Sequence, residues 1–177
     1  MNTFEIILFI LITIFIIWFS WNISIKEKRY HGIMRFFSFE SILLLTLMNY
    51  RIWFTHPFSS WQILSWIMLL TSLYAAVTGF TLLAKKGKPR GKFENTSELI
   101  ATGIYKYIRH PMYLSLLLLG TGILMKDPGW LQITLGAVNA LALYFTAKIE
   151  EWEMIARFGD SYRDYRKKTK MFIPYIF

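Results

Sequence analysis

Two short polar clusters stand out against an otherwise apolar chain. The first is Tyr105, Arg109, His110 and Tyr113 in the string YKYIRHPMYLSLLLLG, with Pro111 between the imidazole and the apolar run that follows; the second is the carboxylate pair Glu150 and Glu151. Taken singly, each has a structural reading. Proline is favoured at the first position of a helix, arginine snorkels to phosphate, and tyrosine belongs at membrane interfaces. Together they are suited to a zwitterionic, water-soluble cofactor meeting a lipid-soluble substrate. Carboxylates hold an ammonium group, His or Arg holds a carboxylate, and tyrosine faces stack on a base or accommodate a sulfonium. Glu153 reads as part of a solvated helix face with Arg157 four residues on. Glu5 and Glu40 read as residues near helix ends, Glu40 with a polar cavity as its other option.

The elements that must position these clusters are membrane segments. The chain has 177 residues, 55% hydrophobic and 18% aromatic, with a net charge of +9. Ile6 to Ile25 contains no charged residue and is long enough to cross a hydrocarbon core of about 30 Å. It reads as a retained span: only Glu5 precedes it, without the basic flank or small-residue cleavage site of a secretory signal. Phe36 to Tyr50, which carries Glu40 and Asn49, is a weaker second span, and Trp61 to Ala84 a third. Pro111 to Met125 and Pro128 to Ala147 form a helical hairpin broken at Lys126-Asp127. The expected fold is therefore all-α, a single polytopic membrane domain over residues 1–177 with about five transmembrane helices.

With five crossings, all of the 20 Lys and Arg except Arg51 and Lys126 fall on one side, including Lys88, Arg90 and Lys92 in the long loop. The positive-inside rule then puts the N-terminus out and the C-terminus in the cytoplasm. The fourth run is only roughly 22 Å long as a helix, so it must either begin earlier or sit in a protein-lined recess. The fifth helix continues past Ala147 and stops near Phe158-Gly159, and Asp160 to Lys170 reads as an interfacial helix on the headgroups. Gly120 and Gly122 read as a close helix contact.

Several function classes drop out. The absence of cysteine excludes disulfides, thiolate nucleophiles and thiolate metal sites, and the wide separation of His31, His56 and His110 speaks against an imidazole-rich metal site. There is no phosphate-cradling loop and no nucleophile elbow. The basic residues lie between apolar runs, so anionic lipid headgroups, and not nucleic acid, are the expected partners.

The strings LIATGIYKYIRHPMY (Leu99 to Tyr113), EEWEMIARFGDSYRDY (Glu150 to Tyr165) and FIP (Phe172 to Pro174) resemble the isoprenylcysteine carboxyl methyltransferase family and its phospholipid methyltransferase relatives. The resemblance covers about Ser97 to Pro174. It implies an integral membrane enzyme using S-adenosylmethionine, with a lipophilic small molecule or prenylated substrate as methyl acceptor; the sorting of basic residues puts its active site on the cytoplasmic face. By the same resemblance the cofactor is held by Ser97, Glu98, Leu99, Ile100, Tyr105, His110, Pro111, Met112, Tyr113 and Glu150, with Arg109 and Glu151 supporting them. At Thr146 isoprenylcysteine-type members have an arginine that meets the substrate carboxylate, so this departure opens the acceptor class, including a phospholipid or other lipid amine. No general base is assigned. The rival readings are an NADPH-dependent membrane sterol or enone reductase and a non-catalytic lipid-binding protein.

Overall fold

A computed structural model describes residues 2–87 and 97–176; Lys88, Arg90, Lys92 and the rest of the long polar loop lie outside the described residues. Six α-helices follow one another: α1 (Thr3–Ile23), α2 (His31–Asn49), α3 (Ser60–Lys86), α4 (Pro111–Leu124), α5 (Trp130–Phe158) and α6 (Asp160–Lys168). Among the described residues there is no β-strand, only an isolated bridge between Ile108 and Lys170. The helices α1, α2, α3 and α5 are long and apolar enough to cross a membrane, and α4 is a shorter apolar helix. The protein is an all-α polytopic membrane protein.

The first helix begins before its apolar run because Asn2 and Glu5 form a reciprocal capping box at its start. Glu5 also accepts from the Tyr50 hydroxyl at 2.9 Å and pairs with Arg51, which ties the far end of α2 to the beginning of α1. Much of the rest of α1, including Ile10, Leu11, Phe15 and Trp18, is exposed apolar surface of the kind a bilayer covers. The second helix starts at His31, five residues ahead of the apolar stretch. His31 and Arg35 are buried against polar partners on neighbouring helices, which hydropathy cannot register. Glu40 sits mid-helix in α2, not near an end as its neighbours in sequence suggest, and accepts a hydrogen bond from Thr13 of α1 at 3.0 Å.

The fourth helix does not begin early. It starts at Pro111, directly after the non-helical His110, so protein must line the run instead. It packs most extensively on α3, and also against α5 and α2, while α5 packs chiefly on α2. At one end the Ile123 carbonyl accepts from Asn49 and Lys126 reaches Gln62 at 2.8 Å; at the other His110 meets α5. The short helix thus bridges the ends of its longer neighbours, with His110 recessed about one helical turn (~5 Å) behind the level of His31.

Both glycines of the GxG sit at close contacts. A Cβ on Gly120 would stand 2.3 Å from the Asn139 side-chain nitrogen, and one on Gly122 would stand 3.2 Å from the Ser65 carbonyl oxygen. Asn139 in turn accepts from Ser38 at 2.6 Å, so Gly120 guards a polar link between α2 and α5. Gly120→Val is expected to destabilise the protein by about 1–3 kcal/mol through overpacking and loss of that link. A melting curve in detergent unchanged from wild type would contradict this.

Candidate active site

The two polar clusters are brought together where the beginning of α4 meets the far part of α5. His110 precedes α4 with φ −123° and ψ 61°, and its backbone N–H donates to the Met171 carbonyl at 3.2 Å. The adjacent Arg109 N–H donates to Lys170 at 2.8 Å, and the Lys170 N–H returns to Tyr107 at 3.0 Å. The C-terminal tail therefore clamps the RHP string from behind. Phe172, buried, lies 6.2 Å from the His110 ring, and Tyr113 stacks on the imidazole at 5.4 Å with 13° between planes.

Two carboxylates flank the imidazole. Nδ1 of His110 is 3.3 Å from Glu150, and Nε2 is 3.6 Å from Glu151, beyond hydrogen-bonding reach. Glu151 is buried and carries the structural load: Arg109 Nε approaches it at 2.7 Å and Arg166 Nε at 3.6 Å. Arg109 also donates to the carbonyls of Arg166 and Thr169 at the end of α6, so a single guanidinium joins α4, α5 and α6. Glu153 departs from the solvated-face reading. It accepts from His31 at 2.9 Å and Arg29 at 3.1 Å, and Arg29 reaches on to within 3.8 Å of Glu150.

A cleft of about 770 Å³, part of it open to solvent, lies in front of this cluster. Glu98, Leu99, Ile100, Tyr105, Arg109, His110, Pro111, Met112, Tyr113 and Glu150 all line it. Three other expected residues do not. Ser97 is exposed and donates its N–H to Gly87, Glu151 lies behind the wall, and the Thr146 hydroxyl, fully buried, donates to the Ala142 carbonyl within its own helix. The cleft also takes in Arg35, Leu83, Met154, Phe158, Tyr162 and Tyr165, which sequence reasoning missed. A signal for most of them was present: Glu150, Met154, Phe158 and Tyr162 recur every four residues, one helical face continued across Gly159 (φ 58°). Tyr162 and Tyr165, expected at the headgroups, are instead buried towards the cleft, and Tyr165 donates to the Tyr105 carbonyl at 2.7 Å. Nothing local marks Arg35.

Burial pushes the phenols of Tyr105, Tyr162 and Tyr165 upward, with the charge of Glu150 adding to the effect on the first two, so all three stay protonated. For His110 burial works downward, but hydrogen bonding to Glu150 and the negative charge of both carboxylates outweigh it, and its pKa is raised. A raised folded-state value means that His110 contributes stability fully below its unfolded pKa of about 6.5 and loses it as pH rises through the folded value. The melting temperature of wild type relative to His110→Gln should therefore fall as pH rises above the ordinary histidine value of about 6.5. A difference that stays flat or grows with pH would contradict the assignment.

The phospholipid methyltransferase family model matches residues 61–161, more than half of the chain. The chain belongs to this family. Its matched region takes in α4, α5 and nearly all of α3, and every cleft-lining residue except Arg35, Tyr162 and Tyr165. Similar proteins include the methanethiol S-methyltransferase of Mycobacterium tuberculosis, 28% identical over 156 residues that make up 76% of this chain and 60% of that protein. The protein-S-isoprenylcysteine O-methyltransferase of Schizosaccharomyces pombe is 40% identical over 80 residues, 44% of this chain and 34% of that protein. That of Dictyostelium discoideum is 27% identical over 159 residues, 78% and 61% of the two chains. The family member described here thus spans less than two thirds of the length of these relatives. No solved structure matches it significantly.

Proposed function

We propose that this chain is a membrane-embedded methyltransferase that uses S-adenosylmethionine and acts on a lipophilic acceptor. The observation that carries the reading is one cleft lined by Glu150, His110 and a set of tyrosines, with His110 Nε2 buried and without a hydrogen-bond partner among the described residues. An orphaned imidazole N–H beside a carboxylate fits the two charged ends of an amino-acid moiety. Glu150 would hold the ammonium and His110 the carboxylate, while Tyr105, Tyr113 and the aromatic wall from α6 would enclose the remainder together with the backbone at Glu98 to Ile100. When bound, the donor supplies a methyl group already activated on a sulfonium.

The chain's own residues then have to bind, align and exclude water. Arg109 and Glu151 hold the RHP string to α5 and α6, so that His110 and Glu150 keep their spacing without waiting for a ligand. The tail residues Met171 and Phe172, buried beside Tyr113, Leu143 and Ala147, close the back of the site against solvent. By the distribution of basic residues the site faces the cytoplasm, with the N-terminus on the opposite side. The relatives named above are methyltransferases acting on methanethiol or on isoprenylcysteine, so methylation of a small lipophilic thiol, of a prenylated substrate's carboxylate or of a lipid amine all fall within the proposal. Incubation of the purified protein with radiolabelled S-adenosylmethionine and membrane lipid extract, beside a prenylcysteine analogue, tests it. Label in an acceptor supports the reading; binding of NADPH with none of S-adenosylmethionine overturns it.

A further inference from the structure

We propose that a groove on the outer face of α3 binds one anionic phospholipid, with an acyl chain along Tyr74, Thr78 and Leu82 and the phosphate against Lys106. The groove is separate from the cleft, and the inference does not depend on the methyl-transfer reading. It has a volume of about 780 Å³, part of it open to the surroundings, and Gly103, Ile104 and Tyr107 complete its walls.

A single layer of chain divides groove from cleft, and neighbouring residues face opposite ways. On α3, Leu83 lines the cleft and Leu82 the groove; in the turn Gly103–Lys106, Tyr105 lines the cleft and Lys106 the groove. Tyr105 holds the turn to α3 by donating to the Gly79 carbonyl at 3.4 Å, and Gly103, at φ 60°, lets the turn settle against Leu82. No residue of the cleft lines the groove.

Two observations identify the occupant. The first is depth. Tyr74, Thr78 and Leu82 are four residues apart and form one stripe about 12 Å long, running from the middle of α3 towards the end that carries Lys85 and Lys86. Leu70, Leu73, Val77 and Phe80 of the same helix are exposed apolar surface of a segment long enough to cross a bilayer, so an occupant reaches the stripe from hydrocarbon. The second is charge. Lys106 is the one charged residue lining the groove, and it makes no ion pair among the described residues; its ammonium lies 5.9 Å from the centre of the Tyr107 ring. Lys86 donates to the Thr102 hydroxyl at 3.1 Å, next to Gly103, and the Lys170 N–H donates to the Tyr107 carbonyl at 3.0 Å, so two more lysines belong to the same end. Tyr107 also meets Tyr175 of the tail at 6.2 Å, an aromatic pair suited to headgroup level. A lysine and tyrosines at the end of an apolar stripe complement a phosphate joined to an acyl chain. Free phosphate would leave the stripe empty, and a zwitterionic headgroup would bring its own cation to a mouth already positive.

Binding of phosphatidylglycerol with a fluorescent acyl chain to the full chain in dodecyl maltoside, competed by unlabelled phosphatidylglycerol, phosphatidylcholine or inorganic phosphate, tests the assignment. Phosphatidylglycerol carries no amine, so it reports on binding alone. Wild type should show one saturable site at which phosphatidylcholine competes about 5-fold more weakly and inorganic phosphate does not compete. Lys106→Gln should remove that preference. Thr78→Trp should abolish saturable binding, because it fills the groove at a residue whose hydroxyl bonds only within its own helix. Lys26→Gln, at an exposed lysine ahead of α2, should change neither. Lys106 is exposed and its replacement leaves the packing intact, so a folding defect in the tryptophan variant would not remove the test. Wild-type binding in a folded Thr78→Trp, an unchanged preference in Lys106→Gln, displacement by inorganic phosphate, or an equal loss in Lys26→Gln would each overturn the inference.

Discussion

Glu150→Gln is expected to weaken binding of S-adenosylmethionine by about 100-fold or more, with the fold retained. The substitution keeps size and removes charge. Glu150 is the cleft carboxylate beside His110, 3.3 Å from its imidazole and 3.8 Å from Arg29, so its loss removes the partner proposed for the donor's ammonium and leaves the imidazole facing Arg29. Glu153→Gln is the informative control. It breaks the contacts with Arg29 and His31 at the rim without altering a cleft-lining residue, and should change donor affinity by less than about 10-fold. Equilibrium dialysis with labelled donor measures both. Equal effects of the two variants would mean that the acidic cluster is architectural only.

Arg109→Ala is expected to lower stability by about 3–5 kcal/mol, the largest effect of any single replacement considered. The guanidinium is the 2.7 Å partner of Glu151, which is buried and has few alternatives, and it also satisfies carbonyls at Arg166 and Thr169. Truncation strands a buried carboxylate and unpins the end of α6. Proteolysis should then reach the segment after Lys168, which in the wild type is held by backbone bonds from Arg109 and His110 to Lys170 and Met171. Arg109→Lys should recover part of the loss, since it restores charge but not the forked geometry. A melting temperature within a degree or two of wild type would show that Arg166 alone holds Glu151.

Much of the architecture was legible because apolar length and turn chemistry act locally. Gly159 ends α5, and the Lys126 to Gly129 break separates α4 from α5, both readable from residue types at the helix ends. The early start of α2 was not, because His31 and Arg35 are tolerated there only through partners far away in the chain. The same reason hid the role of Glu153. Four residues from Arg157 it looks like half of a surface pair, yet it is bound by Arg29 and His31, more than a hundred positions earlier. The hairpin of α4 and α5 does bring His110 to Glu150, although each helix packs more broadly on another partner.

By itself, then, the sequence determined the class of molecule and the ingredients of the site: uncharged runs long enough for a bilayer, and an RHPMY string and a glutamate pair whose types suit a zwitterion. Those follow from composition and from spacing within one helix, which survive without knowledge of the fold. The tertiary structure alone decided how the ingredients share the work. It set Glu150 in the cleft and Glu151 behind it, turned Tyr162 and Tyr165 inward, shut the back with the tail, and brought Arg35 of α2 to the cleft wall. Each depends on which faces of distant helices pack together, and in a chain so uniformly apolar that choice rests on a few buried polar contacts that no local pattern announces.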